Sequence, residues 1–323
     1  MRKGFDAGAY IEAQTAEILK RVAKFERLYL EFGGKLCYDG HASRVLPGYK
    51  KTTKVELLKK LGDLKIVYCV SALDLQSERV LGKAGLTYQK QVLKDLRDIR
   101  KFGLDDGVVV VTRFSGEGKA LKFGKKLRAM GKKVYFFDDI KNYSDSDSAI
   151  AGYKKHRYIP IKENLIVVTG PAGGSGKMSV ALSQIYHEKV LKRKSGFAKF
   201  ETFPIWNLPL KHPINLAYEA ATADLGDKNM IDPFHLKAYG KRAVNYNRDV
   251  ENFGILQAMV RRITGKRFAY GYRSPTDMGV NMAKVGIVDD GVCRKAAVRE
   301  IRRRGRRYRK EFGKGRESEG TIL

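Results

Sequence analysis

A glycine-rich segment at residues 170–177 is the part of the sequence best suited to chemistry. It reads GPAGGSGK, follows the apolar run NLIVVT (164–169) and precedes the amphipathic segment MSVALSQIYHEKVL. Glycines allow successive backbone N–H groups to point at one anion, and the N-terminus of a following helix adds partial positive charge. The pattern predicts a phosphate-binding turn with Lys177 beside a terminal phosphate. The predicted ligand-binding residues are Gly170, Gly173, Gly174, Ser175, Gly176, Lys177 and Ser179.

This turn matches the nucleotide-binding pattern GxxxxGK[ST] in part. Gly176 and Lys177 fit, whereas Gly170 stands one residue too early. Met178 occupies the position of the hydroxyl that binds magnesium, and Ser179 follows one residue late. The turn is therefore P-loop-like, and it favours ATP or a similar nucleotide, with Mg²⁺ as an accompanying ion.

A second fingerprint gives an alternative. Residues 169–176 spell TGxxxGxG, which is typical of short-chain dehydrogenases and indicates NADP as the ligand. Those enzymes also need a tyrosine and a lysine four residues apart downstream, and the pair at that spacing here, Tyr158 and Lys162, lies upstream. A third interpretation is that the glycines serve only the geometry of a strand–helix turn.

Short apolar runs alternate with amphipathic stretches along the first 195 residues. The runs are rich in β-branched and aromatic residues, as strands covered on both faces should be. They are LYLEF (28–32), KIVYCV (65–70), GVVVVT (107–112), KVYFF (133–137) and NLIVVT (164–169). The alternation predicts an α/β fold with a doubly wound, mostly parallel, Rossmann-like sheet.

The sequence changes in character near residue 196, after which prolines are more frequent and the alternation of apolar and amphipathic segments is less regular. We therefore predict an α/β phosphate-binding domain at 1–195 and a mixed helical domain at 196–323, incomplete and with a basic tail. Pro213 and Pro233 are expected at first helical positions, and Asn247–Ile263 is expected to be a helix. VGIV (285–288) is expected to be a last short strand.

Ligands of open parallel sheets bind beyond the carboxyl ends of the strands, so the residues at those ends are candidate site residues. They are Glu31, Gly33, Gly34, Lys35, Ser71, Asp74, Thr112, Arg113, Asp138 and Asp139. A further pair, Asp289 and Asp290, follows the predicted strand VGIV. Because it comes after the glycine-rich turn in the chain, it is the candidate metal-binding pair.

The net charge of the 323 residues is +29, and residues 291–323 alone hold 12 Lys/Arg and four Glu. Such a field attracts anions, so nucleic acid is an alternative partner. No apolar run approaches the ~18 residues of a membrane helix, and no apolar leader follows the N-terminus. Three widely spaced cysteines form no disulfide framework or metal knuckle. We expect a cytoplasmic protein, with homo-oligomerisation open.

Residues 199–225, KFETFPIWNLPLKHPINLAYEAATADL, carry a resemblance to a known family, and so do the blocks LYLEFGGKL, GGSGKMSVALSQIYHEK, NMIDPFHLKAYGKRAVNYNRD and SPTDMGVN. The sequence resembles a bacterial family of uncharacterised conserved proteins, domain of unknown function eighteen forty-six. The resemblance implies a multidomain, cytosolic α/β protein without established activity. Family chains are longer, so this chain is expected to be shortened at its C-terminus. Their TAPGPGSGK-like turn agrees with Gly176 and Lys177.

The same block offers acid–base groups: His212 precedes a predicted helix that carries Glu219, and Asp224 follows. We predict these three as catalytic residues near a phosphate held by Lys177. Trp206 is expected to pack in the interior. The leading hypothesis is an enzyme for phosphoryl transfer or nucleotide hydrolysis. The alternatives are an NAD(P)-dependent oxidoreductase and a non-enzymatic nucleic-acid-binding protein.

Overall fold

Seven parallel strands form the central sheet of the protein, for which a computed structural model describes residues 3–81, 85–265 and 271–313. In chain order they are β1 (Arg27–Phe32), β2 (Leu64–Ser71), β5 (Val108–Phe114), β6 (Lys133–Asp138), β7 (Leu165–Thr169), β8 (Ser195–Phe200) and β11 (Gly279–Val280). Their order across the sheet is β11-β8-β1-β7-β2-β5-β6. Two short antiparallel pairs lie outside it, β3 (Val80–Leu81) with β4 (Leu86–Thr87) and β9 (Asn229–Ile231) with β10 (Val244–Tyr246).

Helices cover both faces of this sheet. They are α1 (Ala7–Val22), α2 (Ala42–Val45), α3 (Thr53–Leu61), α4 (Ala72–Gln76), α5 (Tyr88–Lys101), α6 (Gly118–Ala129), α7 (Ser146–Lys155), α8 (Lys177–Val190), α9 (Pro213–Glu219), α10 (Pro233–Tyr239), α11 (Asn247–Thr264), α12 (Pro275–Met278) and α13 (Asp290–Phe312). One buried cluster joins α1, α3, α5 and α6 to one face, and a second joins α7, α8 and α11 to the other.

The central strands are buried because they consist largely of apolar, β-branched residues. All five residues of β7, LIVVT, are buried, and so are the four valines that begin β5. β-branched side chains pack well on a pleated surface, and both faces must be apolar when helices cover both. The sequence therefore predicts these central strands directly, and the five predicted strands and the α/β class are confirmed.

Chain direction across the sheet creates a crevice at its carboxyl edge. From β1 the chain steps through β2 and β5 to β6 in one direction, and from β6 it returns through β7 to β8 in the other. Because right-handed crossovers place helices on opposite faces for opposite directions, the segments after neighbouring β1 and β7 diverge. The divergence opens the sheet edge beside the glycine-rich turn.

Helix starts follow the predicted capping chemistry. The Asp6 carboxylate accepts hydrogen bonds from the backbone N–H groups of Gly8 and Ala9 at the start of α1. Pro213 and Pro233 occupy the first positions of α9 and α10 as expected. Gly265, in the left-handed conformation, ends α11.

Two features of the second half differ from expectation. The predicted strand 285–288 is wrong: Ala283–Gly286 is a 3₁₀ turn, and only Ile287 bridges to Phe5. Val285 and Val288 are half exposed, so this run has no second face to bury. Conversely, β8 was not predicted and lies in the central sheet, so the main sheet continues past the proposed domain boundary. The division at residue 196 stays a prediction.

The basic C-terminal segment forms α13 as far as Phe312, and residues 314–323 of the predicted tail lie outside the described residues. Tyr308 and Glu300 are buried on the inner side of this helix, which packs against α9 and α2. Within the described part of the chain, every helix is too short or too polar to cross a bilayer.

All three cysteines are buried and unbridged, and this gives a simple expectation for thiol chemistry. Burial raises the pKa of Cys37 to about 12 and that of Cys293 to about 11, and it raises the pKa of Cys69 as well. Since the thiolate is the reactive form, we expect no cysteine to react with an aromatic disulfide reagent at pH 8 in the native state. Three thiols should react after unfolding in urea. Fast labelling of the native protein would contradict this.

Candidate functional site

A cleft of about 850 Å³ lies at the carboxyl edge of the sheet, beside the glycine-rich turn. Most of the predicted strand-end residues line it: Glu31, Gly33, Gly34, Lys35, Thr112, Arg113, Asp138 and Asp139. Ser71 and Asp74 lie apart from this lining, because Ser71 caps α4 by accepting a hydrogen bond from the Asp74 backbone N–H. The volume is that of a pocket for a small organic molecule, since such pockets measure roughly 300–1,000 Å³.

The glycine turn, residues 170–177, needs glycine for two physical reasons. Gly174 and Gly176 have φ of 79° and 81°, a left-handed conformation that side chains disfavour. Gly176 also lies against β5, because a Cβ added there would be 2.8 Å from Cβ and Oγ1 of Thr112. Thr112 Oγ1 in turn donates a hydrogen bond to the Ser175 carbonyl (2.9 Å). This contact holds the turn at the start of α8.

Lys177 is the first residue of α8, and its side chain faces the cleft with only 12% exposed. Its Nζ lies 4.0 Å from Oε1 of Glu31 and 3.5 Å from the carbonyl oxygen of Ala172. The ammonium therefore stands between the end of β1 and the glycine turn, where the N-terminus of a 14-residue helix adds positive potential.

The other predicted turn residues divide into two groups. Gly170, Gly173, Gly174, Gly176 and Ser179 line the cleft together with Lys177. Ser175 does not, because its side chain is fully buried beneath the turn. Gly170 leaves room for it, since a Cβ added at Gly170 would lie 2.4 Å from Ser175 Oγ. The Ser175 hydroxyl is thus a packing group rather than part of the cleft wall.

A second cation that the sequence analysis did not identify lies beside the turn. Arg248, near the start of α11, reaches across the cleft so that its Nη1 would be 3.5 Å from a Cβ added at Gly173. Asp227 holds the guanidinium from behind, with Arg248 Nη2 donating to Asp227 Oδ2 at 2.8 Å. Burial raises the pKa of Asp227, although the pairing with Arg248 opposes that rise. The sequence predicts the helix that begins at Asn247 but gives no sign that Arg248 reaches the turn.

A third cation of the cleft, Lys199, lies among carboxylates. Lys199, at the end of β8, contacts the carboxylate of Asp249, and its side chain is 12% exposed. Burial alone would lower the pKa of Lys199, yet the carboxylates of Asp249, Glu31 and Glu201 together raise it above its ordinary value. Lys199 is therefore an ammonium, fixed by its neighbours rather than poised to lose its proton.

The three predicted catalytic residues are not brought to the glycine turn. His212 is buried, accepts a hydrogen bond from the Ile214 backbone N–H and lies 3.1 Å from Asp290. Glu219 accepts a hydrogen bond from the Asn229 backbone N–H, and Asp224 from the Tyr308 hydroxyl. The cleft is lined instead by their neighbours Tyr218, Thr222 and Leu225.

Asp289 and Asp290, the predicted metal-binding pair, lie at the N-terminus of α13. Asp289 caps this helix by accepting a hydrogen bond from the Val292 backbone N–H, and Asp290 pairs with His212 and Arg294. No strand precedes them, which removes the reason for expecting a metal there. Across residues 3–81, 85–265 and 271–313, no group of three His, Cys, Asp or Glu side chains is arranged to hold a metal ion.

Together these features define a class: an α/β protein with a parallel sheet and a mixed-charge cleft at its carboxyl edge. Comparison with known proteins then gives the family. Residues 3–322 match the model "Domain of unknown function DUF1846, N-terminal", and the chain belongs to this family of uncharacterised proteins.

Its relatives are bacterial proteins described as "UPF0371 protein". The one from Clostridium tetani (strain Massachusetts / E88) is 48% identical over 326 residues, covering 100% of this chain and 64% of that protein. The one from Clostridioides difficile (strain 630) is 46% identical over 326 residues, covering 100% of this chain and 65% of that protein. The chain thus spans just under two thirds of the length of these relatives.

Proposed function

We propose that this protein binds a nucleotide or another phosphorylated small molecule in the cleft, with the phosphate on the glycine turn. One observation carries the proposal: the turn lines the cleft together with two cations, Lys177 near Ala172 and Arg248 near Gly173. Backbone N–H groups, a helix N-terminus and two cations all stabilise phosphate charge. Phosphoryl transfer or hydrolysis is the reaction class that such groups serve, because they act mainly on phosphate charge.

The arrangement of the two cations favours a phosphate over a carboxylate or an uncharged ligand. Arg248 is held by the buried Asp227, so its guanidinium is presented with little loss of side-chain freedom. Lys177 has no close carboxylate contact, since 4.0 Å separates it from Glu31. A polyphosphate could therefore take both cations without breaking a short ion pair.

Removal of Lys177 tests this function. We expect Lys177→Ala to weaken binding of ATP or pyrophosphate at least about tenfold, because a charge-assisted contact contributes roughly 1.5–3 kcal/mol. Titration calorimetry with and without Mg²⁺ measures the affinities, since Ser179 lines the cleft one position after the usual magnesium hydroxyl. Lys125→Ala, an exposed lysine of α6, is the matched control. Equal affinities in the wild type and Lys177→Ala would refute the phosphate site.

The same titrations separate the alternative ligands. Selective binding of NADPH over ATP would favour the oxidoreductase hypothesis. Binding of RNA or DNA that falls steeply with salt and is unchanged in Lys177→Ala would favour a role of the basic surface instead.

A further inference from the structure

The cleft carries carboxylates next to the cations of the proposed phosphate site. Glu31, the last residue but one of β1, has its side chain 14% exposed, and Asp249 follows Arg248 on α11 with its side chain 7% exposed. Both line the cleft. These carboxylates disfavour negative charge beyond the phosphate site and favour hydrogen-bond donors there.

Glu31 has an acceptor that its surroundings leave unused. Its Oε1 faces Lys177, whereas its Oε2 is buried and accepts no hydrogen bond from any residue that the structure describes. A buried acceptor without a donor is costly, and such groups in native proteins call for an explanation. A donor from a bound ligand supplies one.

Asp249 is held in place from two sides. Lys199 contacts its Oδ1, whereas its Oδ2 is buried and accepts no hydrogen bond from any residue that the structure describes. Glu201 lies behind it, where burial and then the negative charge of Asp249 raise the pKa of Glu201 well above its ordinary value. A carboxylate has about four acceptor positions, which leaves capacity for a ligand donor.

We propose that the ligand is a phosphorylated polyhydroxy compound, whose phosphate lies on the glycine turn and whose hydroxyl groups donate hydrogen bonds to Glu31 and Asp249. This inference rests on the proposed function. The cleft volume of about 850 Å³ exceeds what a phosphate alone would fill and suits a sugar phosphate or the ribose part of a nucleotide.

Four phosphate compounds test the inference by titration calorimetry on the full chain. They are pyrophosphate, n-butyl phosphate, ribose 5-phosphate and 2-aminoethyl phosphate. We expect ribose 5-phosphate to bind at least about tenfold more tightly than butyl phosphate, because hydrogen bonds to carboxylates are charge-assisted. Glu31→Gln and Asp249→Asn should each reduce this preference to below about threefold. Butyl phosphate should bind the variants no more weakly, because a repelling charge is gone.

Glu251→Gln, an exposed residue of α11, is the control and should keep the full preference. Equal binding of ribose 5-phosphate and butyl phosphate by the wild type would overturn the inference, as would a preference retained in Glu31→Gln. Tighter binding of 2-aminoethyl phosphate than of ribose 5-phosphate would also overturn it, since the donor would then be an ammonium. If Asp249→Asn fails to fold, Glu31→Gln decides alone. Absence of binding by all four compounds would instead refute the proposed function.

Discussion

Replacing Glu300 by alanine is expected to lower the free energy of unfolding by about 3–5 kcal/mol, the usual effect of removing one partner of a buried ion pair. The Glu300 side chain is 1% exposed and lies among four basic groups. Arg44, Arg303 and Arg304 donate hydrogen bonds to it at 2.5–3.2 Å, and His41 lies 3.6 Å away. Without the carboxylate, the three guanidinium groups repel one another where α13 meets α2. Urea unfolding followed by circular dichroism measures the loss.

Two further variants separate charge from packing in this cluster. Glu300→Gln keeps the shape but not the charge, so most of the loss should remain. Glu251→Ala, an exposed glutamate of α11, should change the unfolding free energy by less than about 0.5 kcal/mol. A loss in Glu300→Gln no larger than in Glu251→Ala would show that the charge of Glu300 is unimportant.

The same cluster makes the free energy of unfolding depend on pH, and the pKa of Glu300 gives the direction of that dependence. Burial alone would raise the pKa of Glu300, but hydrogen bonds from Arg303, Arg44 and Arg304 hold it well below the ordinary value of 4.5. The stabilisation is therefore complete above about pH 4.5 and is lost as the pH falls from there toward the folded-state pKa. Wild-type stability should drop more steeply than that of Glu300→Gln below pH 4.5.

Substitution of Gly176 by alanine is expected to lower the free energy of unfolding by about 2–4 kcal/mol. The left-handed conformation contributes ~1–2 kcal/mol for any side chain. The rest arises because the new Cβ would meet Thr112 at 2.8 Å, inside a packed strand end that has little freedom to move. Ligand affinity should fall with it, since the turn must shift away from β5.

Gly174→Ala is the matched control for that substitution. Gly174 has nearly the same φ, 79° against 81°, but a Cβ there would have no neighbour within 4 Å. Its loss of stability should therefore stay at about 1–2 kcal/mol, the cost of the backbone conformation alone. Equal losses in the two variants, measured in urea, would show that the contact with Thr112 is not the cause.

The local parts of this structure were predictable from the sequence, and the reason is physical. β7 and β5 are continuous runs of β-branched residues, and the glycine turn combines a strand end with a helix start, so neighbouring residues carry the signal. The strand-end rule predicts Glu31 and Asp139 as candidate site residues, and both line the cleft.

The features that the sequence does not predict depend on contacts between distant segments. Arg248 reaches Gly173 only because α11 packs against α7 and α8, and no residue near Arg248 signals this. His212 and Asp290 were assigned separate roles from their local patterns, yet they meet each other. β8 escaped prediction because SGFAKF is short and its burial comes from neighbouring β1.

The position of β1 in the sheet has a consequence for biosynthesis. Among the described residues its ladder partners are β7 and β8, so that Leu28 pairs with Leu165 and Arg27 with Ser195. Such distant pairing gives the sheet a high contact order, and a ribosome must deliver the chain as far as β7, Leu165–Thr169, before β1 gains a neighbour. The nascent chain therefore carries an unpaired, largely buried-type strand while residues 33–164 are made, a stage at which aggregation competes with folding.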